Sequence, residues 1–546
     1  MGRAFATSYL AGEPAAQAFF APGFRDPAAR VARTRLAAER TIAPSLVRVL
    51  AEQQARLPPS AARQANLEAL AAGRTAVVAT GQQVGLFLGP LYSFYKAASA
   101  VAVARSLEAE SGIRCVPLFW LQTEDHDFAE IRTSTVADVK GDPVHLTLED
   151  EASGQGRVSV AHRRLPPQVS LLLDTLAEAL PPGPAADEVL ALLRGCYRAG
   201  AGMAAAFAST MAALFTEEGL LVFDPRESGV AAAAAPIYRN CIENGASIEA
   251  GLKQREAELV SAGFARQVPI RDHGALVFFH REGPTGPRFR IQRRAATHSG
   301  DSVWELAGSP ESIEQDELLA IAASEPLRFS TSALLRPIVQ DSLFPTAAYV
   351  GGPGEINYFA QLGPLYQHFG LAPPLLVPRA RFRCVDARSR RWLEELGLGA
   401  EDVSAAPAEL SARVSARDQA GGVASKELHD LLTAQILPAL DKIIATVESA
   451  GAGMHRRVVR TRASVVHVIE RLIASYQRAL LERDQVTLRR LRGLQQALLP
   501  SGIPQERFFG WPFLAGRLGV QGFKREVMES LRATGPFTTE VRELRP

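Results

Sequence analysis

The chain has 546 residues, of which 47% are hydrophobic and 22% charged, with 60 basic residues against 58 acidic ones for a net charge of +2. That is enough apolar material for a sizeable core spread over several domains, and it excludes disorder and a collagen-like fibre. A nearly balanced charge excludes nonspecific capture of nucleic acid or an acidic membrane.

In chain order, residues 26–71 read as helix broken at Pro44 and at Pro58–Pro59. Ala76–Ala79 is an apolar run fit for a buried strand and meets the turn-like Thr80-Gly81-Gln82-Gln83. A helix follows, with Leu91, Tyr95, Ala98, Val101 and Leu107 near helical spacing and Gly112 as its stop. Val116–Trp120 is a second strand, so about fifty residues form a βαβ unit. Leu220–Phe223 is a third. Thr135–His162 and Val268–Leu306 read as β-rich hairpins set into the connections, and Leu334–Val339 and Ala347–Val350 as a return to the core. Thr75–Tyr95 is uncharged but interrupted by Gly, Gln and Pro, and Ala199–Thr216 is rich in small residues. Neither suits a membrane span.

Beyond Arg388 strands vanish. Leu428 to Val447 and Val458 to Leu498 carry apolar stripes at spacings of three and four, separated by Gly451-Ala452-Gly453. An antiparallel helical hairpin, a coiled-coil arm, is predicted there. The expected domains are a core over 1–387 with inserts near 133–165 and 268–310, an arm over 388–499, and a tail over 500–546 docking back on the core. Long apolar stripes need cover, so a homodimer through the arm is expected. No secretory signal is visible, and four cysteines with no CxxC pair make no disulfide framework. A reducing cytoplasm is the expected compartment.

Ligands of an open parallel sheet sit at the carboxyl ends of its strands. Three polar clusters fall at such ends. The first is Thr80, Gly81, Gln82 and Gln83, with Lys96, one of only six lysines, fifteen residues after Gly81. Glycines permit close backbone approach, and the helix start offers free N–H groups to a phosphate or carboxylate; a tight strand-to-helix turn is the alternative. The second is Glu124, Asp125, His126 and Asp127. These residue types give a general base with a carboxylate to orient it, or ligands for a metal ion, against helix capping as the alternative. The third is Gly351, Gly352, Gly354 and Glu355 before a helical pattern from Ile356 to Phe369, with Arg336, Gln340 and Asp341 just upstream. No zinc motif, GxSxG or Walker sequence is present.

Taken in order, Thr80–Gly85, Gly89-Pro90-Leu91-Tyr92, Lys96, Pro117–Trp120 and Glu124–Phe128 resemble the bacillithiol biosynthesis cysteine-adding enzyme family. Leu335–Asp341, Pro345-Thr346, Val350–Glu355 and Gly502–Arg507 extend the resemblance across nearly the whole chain. It implies a Rossmann-like parallel-sheet α/β core similar to class I aminoacyl-tRNA synthetases, with connecting inserts and a coiled-coil arm. It implies a ligase joining the carboxylate of cysteine to the amine of glucosaminyl-malate, with ATP and Mg²⁺ for activation. His126 is then expected as general base, oriented by Asp125 or Asp127, and Gln82 and Gln83 as contacts to substrate or phosphate. The chain lacks the His-x-Gly-His and KMSKS-like elements of those synthetases. A metal-dependent hydrolase built on the acidic cluster, or a coiled-coil interaction protein on a degenerate nucleotide fold, are the rival readings.

Overall fold

The computed structural model describes the chain except residues 1, 21–22, 151–157, 295–302, 407–408, 411–412, 415–426, 449–451, 484 and 546. It divides into two compact units, Met1–Phe382 with Phe509–Arg542, and Arg383–Phe508 with Glu543–Pro546.

In the first unit, Pro27–Ala38, Pro44–Ala55 and Ala61–Ala72 are helices. Proline at the first position of two of them fits the missing N–H there. The strands are β1 (Ala76–Gln82), β2 (Cys115–Leu121), β3 (Thr133–Ala137), β4 (Pro143–Thr147), β5 (Leu221–Phe223), β6 (Gly274–His280), β7 (Arg288–Arg293), β8 (Val303–Leu306), β9 (Ser312–Glu314), β10 (Phe329–Thr331), β11 (Thr346–Gly351) and β12 (Leu375–Pro378). Five of them form a parallel sheet in the order β12-β11-β1-β2-β5. The chain therefore runs outward from β1 to β5, then returns to the other side of β1. The switch point lies between β1 and β11, where such sheets open a crevice at their carboxyl ends.

β1 and β2 are buried on both faces, as their apolar runs require. Gly81 stands opposite Trp120, and a Cβ at Gly81 would lie 2.9 Å from the Trp120 carbonyl oxygen. That glycine is fixed by strand packing, whereas the sequence pointed to close approach of a ligand. The crossover helix Leu91–Ser111 is buried around most of its circumference and stops at Gly112, whose φ of 72° closes it.

The predicted hairpin over 268–306 is larger than expected. β6, β7, β8 and β9 form an antiparallel sheet edged by β10, in the order β10-β6-β7-β8-β9. β3 and β4 form a hairpin over part of 135–162, the rest of which includes residues outside those described. Leu334–Val339 mostly enters a helix, Arg336–Leu343, because Pro337 takes an early position where its absent N–H costs nothing. Ile356–Phe369 is two short helices, Pro353–Phe359 and Gly363–His368.

His280 at the end of β6 is fully buried, with Nδ1 2.9 Å from the Gly286 carbonyl and Nε2 3.2 Å from Ser330 Oγ. A carbonyl only accepts, so the ring proton sits on Nδ1. Burial, reinforced by the Arg226 charge, lowers its pKa to about 3. The unfolded chain protonates this ring near 6.5 and the folded one does not, so stability is lost as pH falls from about 6.5 towards 3. Urea unfolding at pH 7 and pH 4 should differ by ~3 kcal/mol from this residue. His280→Asn should flatten that dependence; an unchanged slope would refute the assignment.

In the second unit, Ala387–Leu396 and Gln485–Leu498 pack through Leu393, Leu396, Leu491, Leu494 and Leu498. The arm contains helices Leu437–Glu448 and Ala452–Arg483, with Arg462 Nε donating to Asp441 Oδ1 at 2.7 Å. The second helix begins at Ala452, before the predicted Val458, so Ala452 and Gly453 are helical; Gly451 lies outside the described residues.

Candidate active site

The two adjacent glutamines, Gln82 at the end of β1 and Gln83 just beyond it, divide the site between them. Gln82 belongs to a buried network at the switch point. Lys96, 4% exposed, places Nζ 2.5 Å from Glu355 Oε2, 2.7 Å from the Gly81 carbonyl and 2.9 Å from Gln82 Oε1. Glu355 also accepts from Tyr349 Oη at 2.5 Å and from the Gly352 amide at 2.7 Å. Burial draws Lys96 below its usual pKa, while Glu355, which burial would raise, is held low by the Lys96 charge.

Arg336 continues the network. Its guanidinium lies 5.0 Å from the Tyr349 ring centre and donates to Tyr358 Oη at 3.2 Å and Gln340 Oε1 at 2.9 Å. Gln340 donates to Asp341 Oδ1 at 2.9 Å, and Tyr366 to Asp341 Oδ2 at 2.5 Å. Thr80 Oγ1 donates to the Val350 carbonyl at 2.8 Å. Thr80, Lys96, Arg336, Gln340, Asp341 and Glu355 are thus committed to protein partners at the floor of the crevice. The glycines after β11 are less constrained: added Cβ atoms at Gly351 and Gly352 would meet neighbours at 3.4 Å and 3.6 Å, and at Gly354 none within 4 Å.

Gln83 belongs to the other face. Its Nε2 donates to Asp125 Oδ2 at 2.8 Å and Glu130 Oε2 at 2.9 Å. Asp125 Oδ1 accepts from the His126 amide at 2.7 Å and from Arg288 Nη2 at 3.0 Å. Burial alone would raise the Asp125 carboxyl; His126, Arg288 and Gln83 outweigh it and hold it well below the usual carboxylate range. Arg288 Nε donates to His126 Nδ1 at 2.9 Å. An arginine has no lone pair to offer, so Nδ1 must accept and the ring proton resides on Nε2. Asp125 Oδ1, 3.5 Å from that Nδ1, does not orient the ring.

The sequence-based roles are corrected here. His126 in this state is a donor through Nε2, and it becomes a base only if Arg288 leaves Nδ1. Asp127 orients nothing; its Oδ1 accepts from the Glu130 amide at 3.2 Å and caps the turn Phe128–Ile131. Glu124, 2% exposed, accepts from the hydroxyl of Thr331 and from its amide at 3.3 Å. Three acids thus serve three separate donors. Among the described residues no group of three His, Cys, Asp or Glu is placed to hold a metal ion. Thr331→Val would leave Glu124 short of a donor and should cost ~1–3 kcal/mol in urea unfolding; no loss would show that Glu124 is satisfied elsewhere.

A cleft of about 530 Å³ opens at the carboxyl end of β2, between Asp125 and His126 and the inserted antiparallel sheet. Arg288, Thr331, Ser332 and Gln122 line it, and none was singled out from the sequence. One signal was available: in Arg288-Phe289-Arg290-Ile291-Gln292 a period of two sets Arg288, Arg290 and Gln292 on one face. Lys96, Arg336 and Glu355 do not line this cleft.

A parallel sheet with a cleft at its strand ends, and a helical arm after it in the chain, define the class: a Rossmann-like α/β protein with a coiled-coil domain. Residues 2–380 match the bacillithiol biosynthesis BshC N-terminal Rossmann-like domain, and residues 382–521 the BshC C-terminal coiled-coil domain. The chain is 33% identical to a protein of Koribacter versatilis over 473 residues, 85% of this chain and 84% of that one. It is 33% identical to one of Solibacter usitatus over 455 residues, 82% and 81% of the two chains. A third relative, from Salinibacter ruber, is 30% identical over 489 residues, 88% and 85%. All three bear the name "Putative cysteine ligase BshC". The chain belongs to the BshC family. No helix among the described residues is long and apolar enough to cross a membrane.

Proposed function

We propose that the chain is a ligase that forms an amide between the carboxylate of cysteine and the amine of glucosaminyl-malate, with ATP as the activating co-substrate. The relatives' shared name and the family match support the ligase class. The observation that carries the reading to these residues is the cleft at the end of β2, with His126 and Arg288 on its wall.

A free carboxylate resists attack by an amine, so one of its oxygens must first become a leaving group. By analogy with class I aminoacyl-tRNA synthetases, a cysteine carboxylate oxygen attacks the α-phosphorus of ATP. A new P–O bond forms, the α–β bridging bond breaks, and pyrophosphate leaves. The sugar amine then attacks the carbonyl carbon. The C–N bond forms, the C–O bond to AMP breaks, and the amine proton passes to solvent or to a base. His126 Nε2–H is a donor suited to the carbonyl oxygen as it gains charge. The nucleotide belongs at the switch point, framed by Gln82, Gln83, Gly351, Gly352 and Gly354. Any magnesium ion would arrive with the nucleotide.

Exchange of labelled pyrophosphate into ATP tests the activation. Exchange that needs cysteine but not the sugar is the expected result; release of ADP without exchange would contradict an adenylate. The reading includes a homodimer in a reducing cytoplasm, joined through the arm, where Ile443, Val468 and Leu472 are exposed. A monomer mass from light scattering of the full chain would remove the dimer.

A further inference from the structure

Arg288 is 7% exposed, yet it lines the cleft. Its Nε is spent on His126 and its Nη2 on Asp125. Its plane is steadied over the Phe278 ring, with the guanidinium carbon 4.3 Å from the ring centre. The buried Nη1 has no protein partner. A buried charged donor left unpaired is costly, and an arginine cannot shed its proton to relieve the cost. The charge around it points to the missing partner. The cleft wall carries Arg271, Arg288 and Arg290 against two carboxylates, Asp125 and Glu249. Glu249 is itself paired outside the wall, with Lys253 Nζ at 2.6 Å and Arg293 Nη2 at 3.2 Å. Three arginines thus stand against two carboxylates among the lining residues, and the Arg288 Nη1 is a cationic donor with no protein partner.

We propose that Arg288 anchors an oxyanion of a bound small molecule, a carboxylate or a phosphate, in the cleft through Nη1. The same side chain fixes the His126 proton on Nε2, so one residue both docks the anionic end of a ligand and sets the donor beside it. This rests on the cleft being the substrate site. Glucosaminyl-malate supplies carboxylates and ATP supplies phosphates, and the two sources are separable.

Calorimetric titration of the full chain with L-malate and with inorganic phosphate tests it, since neither probe requires turnover. The wild type should bind one of the two. Arg288→Met should weaken that binding about 10- to 100-fold, the loss of a hydrogen bond to a charged group. Arg288→Lys should fall between, because lysine keeps the charge but not the planar fork. Ser332 lines the cleft, and its Oγ accepts from the Leu335 amide at 3.3 Å. Ser332→Asp keeps that acceptor, adds a negative charge to the wall, and should weaken binding about tenfold. Preference for malate would assign the site to the sugar acid, and preference for phosphate would move the nucleotide from the switch point to this cleft. Unchanged affinity in Arg288→Met would overturn the proposal, as would a wild type that binds neither anion. If Arg288→Met does not fold, unchanged affinity in Ser332→Asp overturns it. Malate or phosphate held through Arg288 by a protein that makes no amide would keep this site and remove the ligase reading. Amide formation with anion binding indifferent to Arg288 would do the reverse.

Discussion

Lys96→Met is expected to destabilise the first unit by ~3–5 kcal/mol, the range for breaking a buried ion pair from one side. Methionine matches the length of the lysine stem, so the cavity term is small. What remains is Glu355 with two hydrogen bonds, from Tyr349 and Gly352, and without the Lys96 charge at 2.5 Å. The Gly81 carbonyl and Gln82 Oε1 lose their shared donor as well. The end of β1 would then lose its tie to Glu355 through Lys96 and keep Thr80 on the Val350 carbonyl and Gln83 on Asp125. Lys96→Met with Glu355→Gln should recover part of the loss, because the stranded charge is gone. Urea unfolding of the three variants measures this. A single variant within ~0.5 kcal/mol of the wild type would mean that the pair contributes no more than an exposed one.

His126→Ala is expected to lower kcat by ~10²-fold or more, within the usual range for losing a positioned proton-transfer group. The ring is about one-third exposed, so the fold should survive. His126→Gln separates the two roles open to the ring. Its carbonyl oxygen can accept from Arg288 Nε, as Nδ1 does, and its amide can donate, as Nε2–H does. A donor role predicts that Gln retains much more activity than Ala. A base role predicts that both are equally inactive, since an amide takes no proton at neutral pH. Equal loss would therefore return His126 to the role expected from its sequence neighbours, with Arg288 moving during the reaction.

The parallel core was legible because apolar runs such as Ala76–Ala79 and Val116–Trp120 are buried on both faces and end in glycine or acid. The ranks of the polar clusters were less legible. Gly81, Lys96 and Glu355 stand 15 to 274 residues apart in the chain, and nothing local says that Lys96 spends its charge on Glu355. The run Glu124–Asp127 looked like one acidic site. Each acid instead answers a donor on a different element: Thr331, Arg288 and the turn after Asp127. Arg288 and Thr331 were missed for the same reason, since they reach the site from an inserted sheet more than 160 residues downstream. The size of that sheet was hidden because β8 and β9 are four and three residues long. Strands that short lack enough repeats to show a period.

The most direct measurement mixes the purified full chain with cysteine, glucosaminyl-malate, ATP and Mg²⁺, labels thiols, and weighs the products. The ligase reading predicts a new thiol with the mass of the amide, formed only when ATP is present, with one AMP released per amide. Intact substrates after incubation, with the nucleotide bound but unspent, would contradict it.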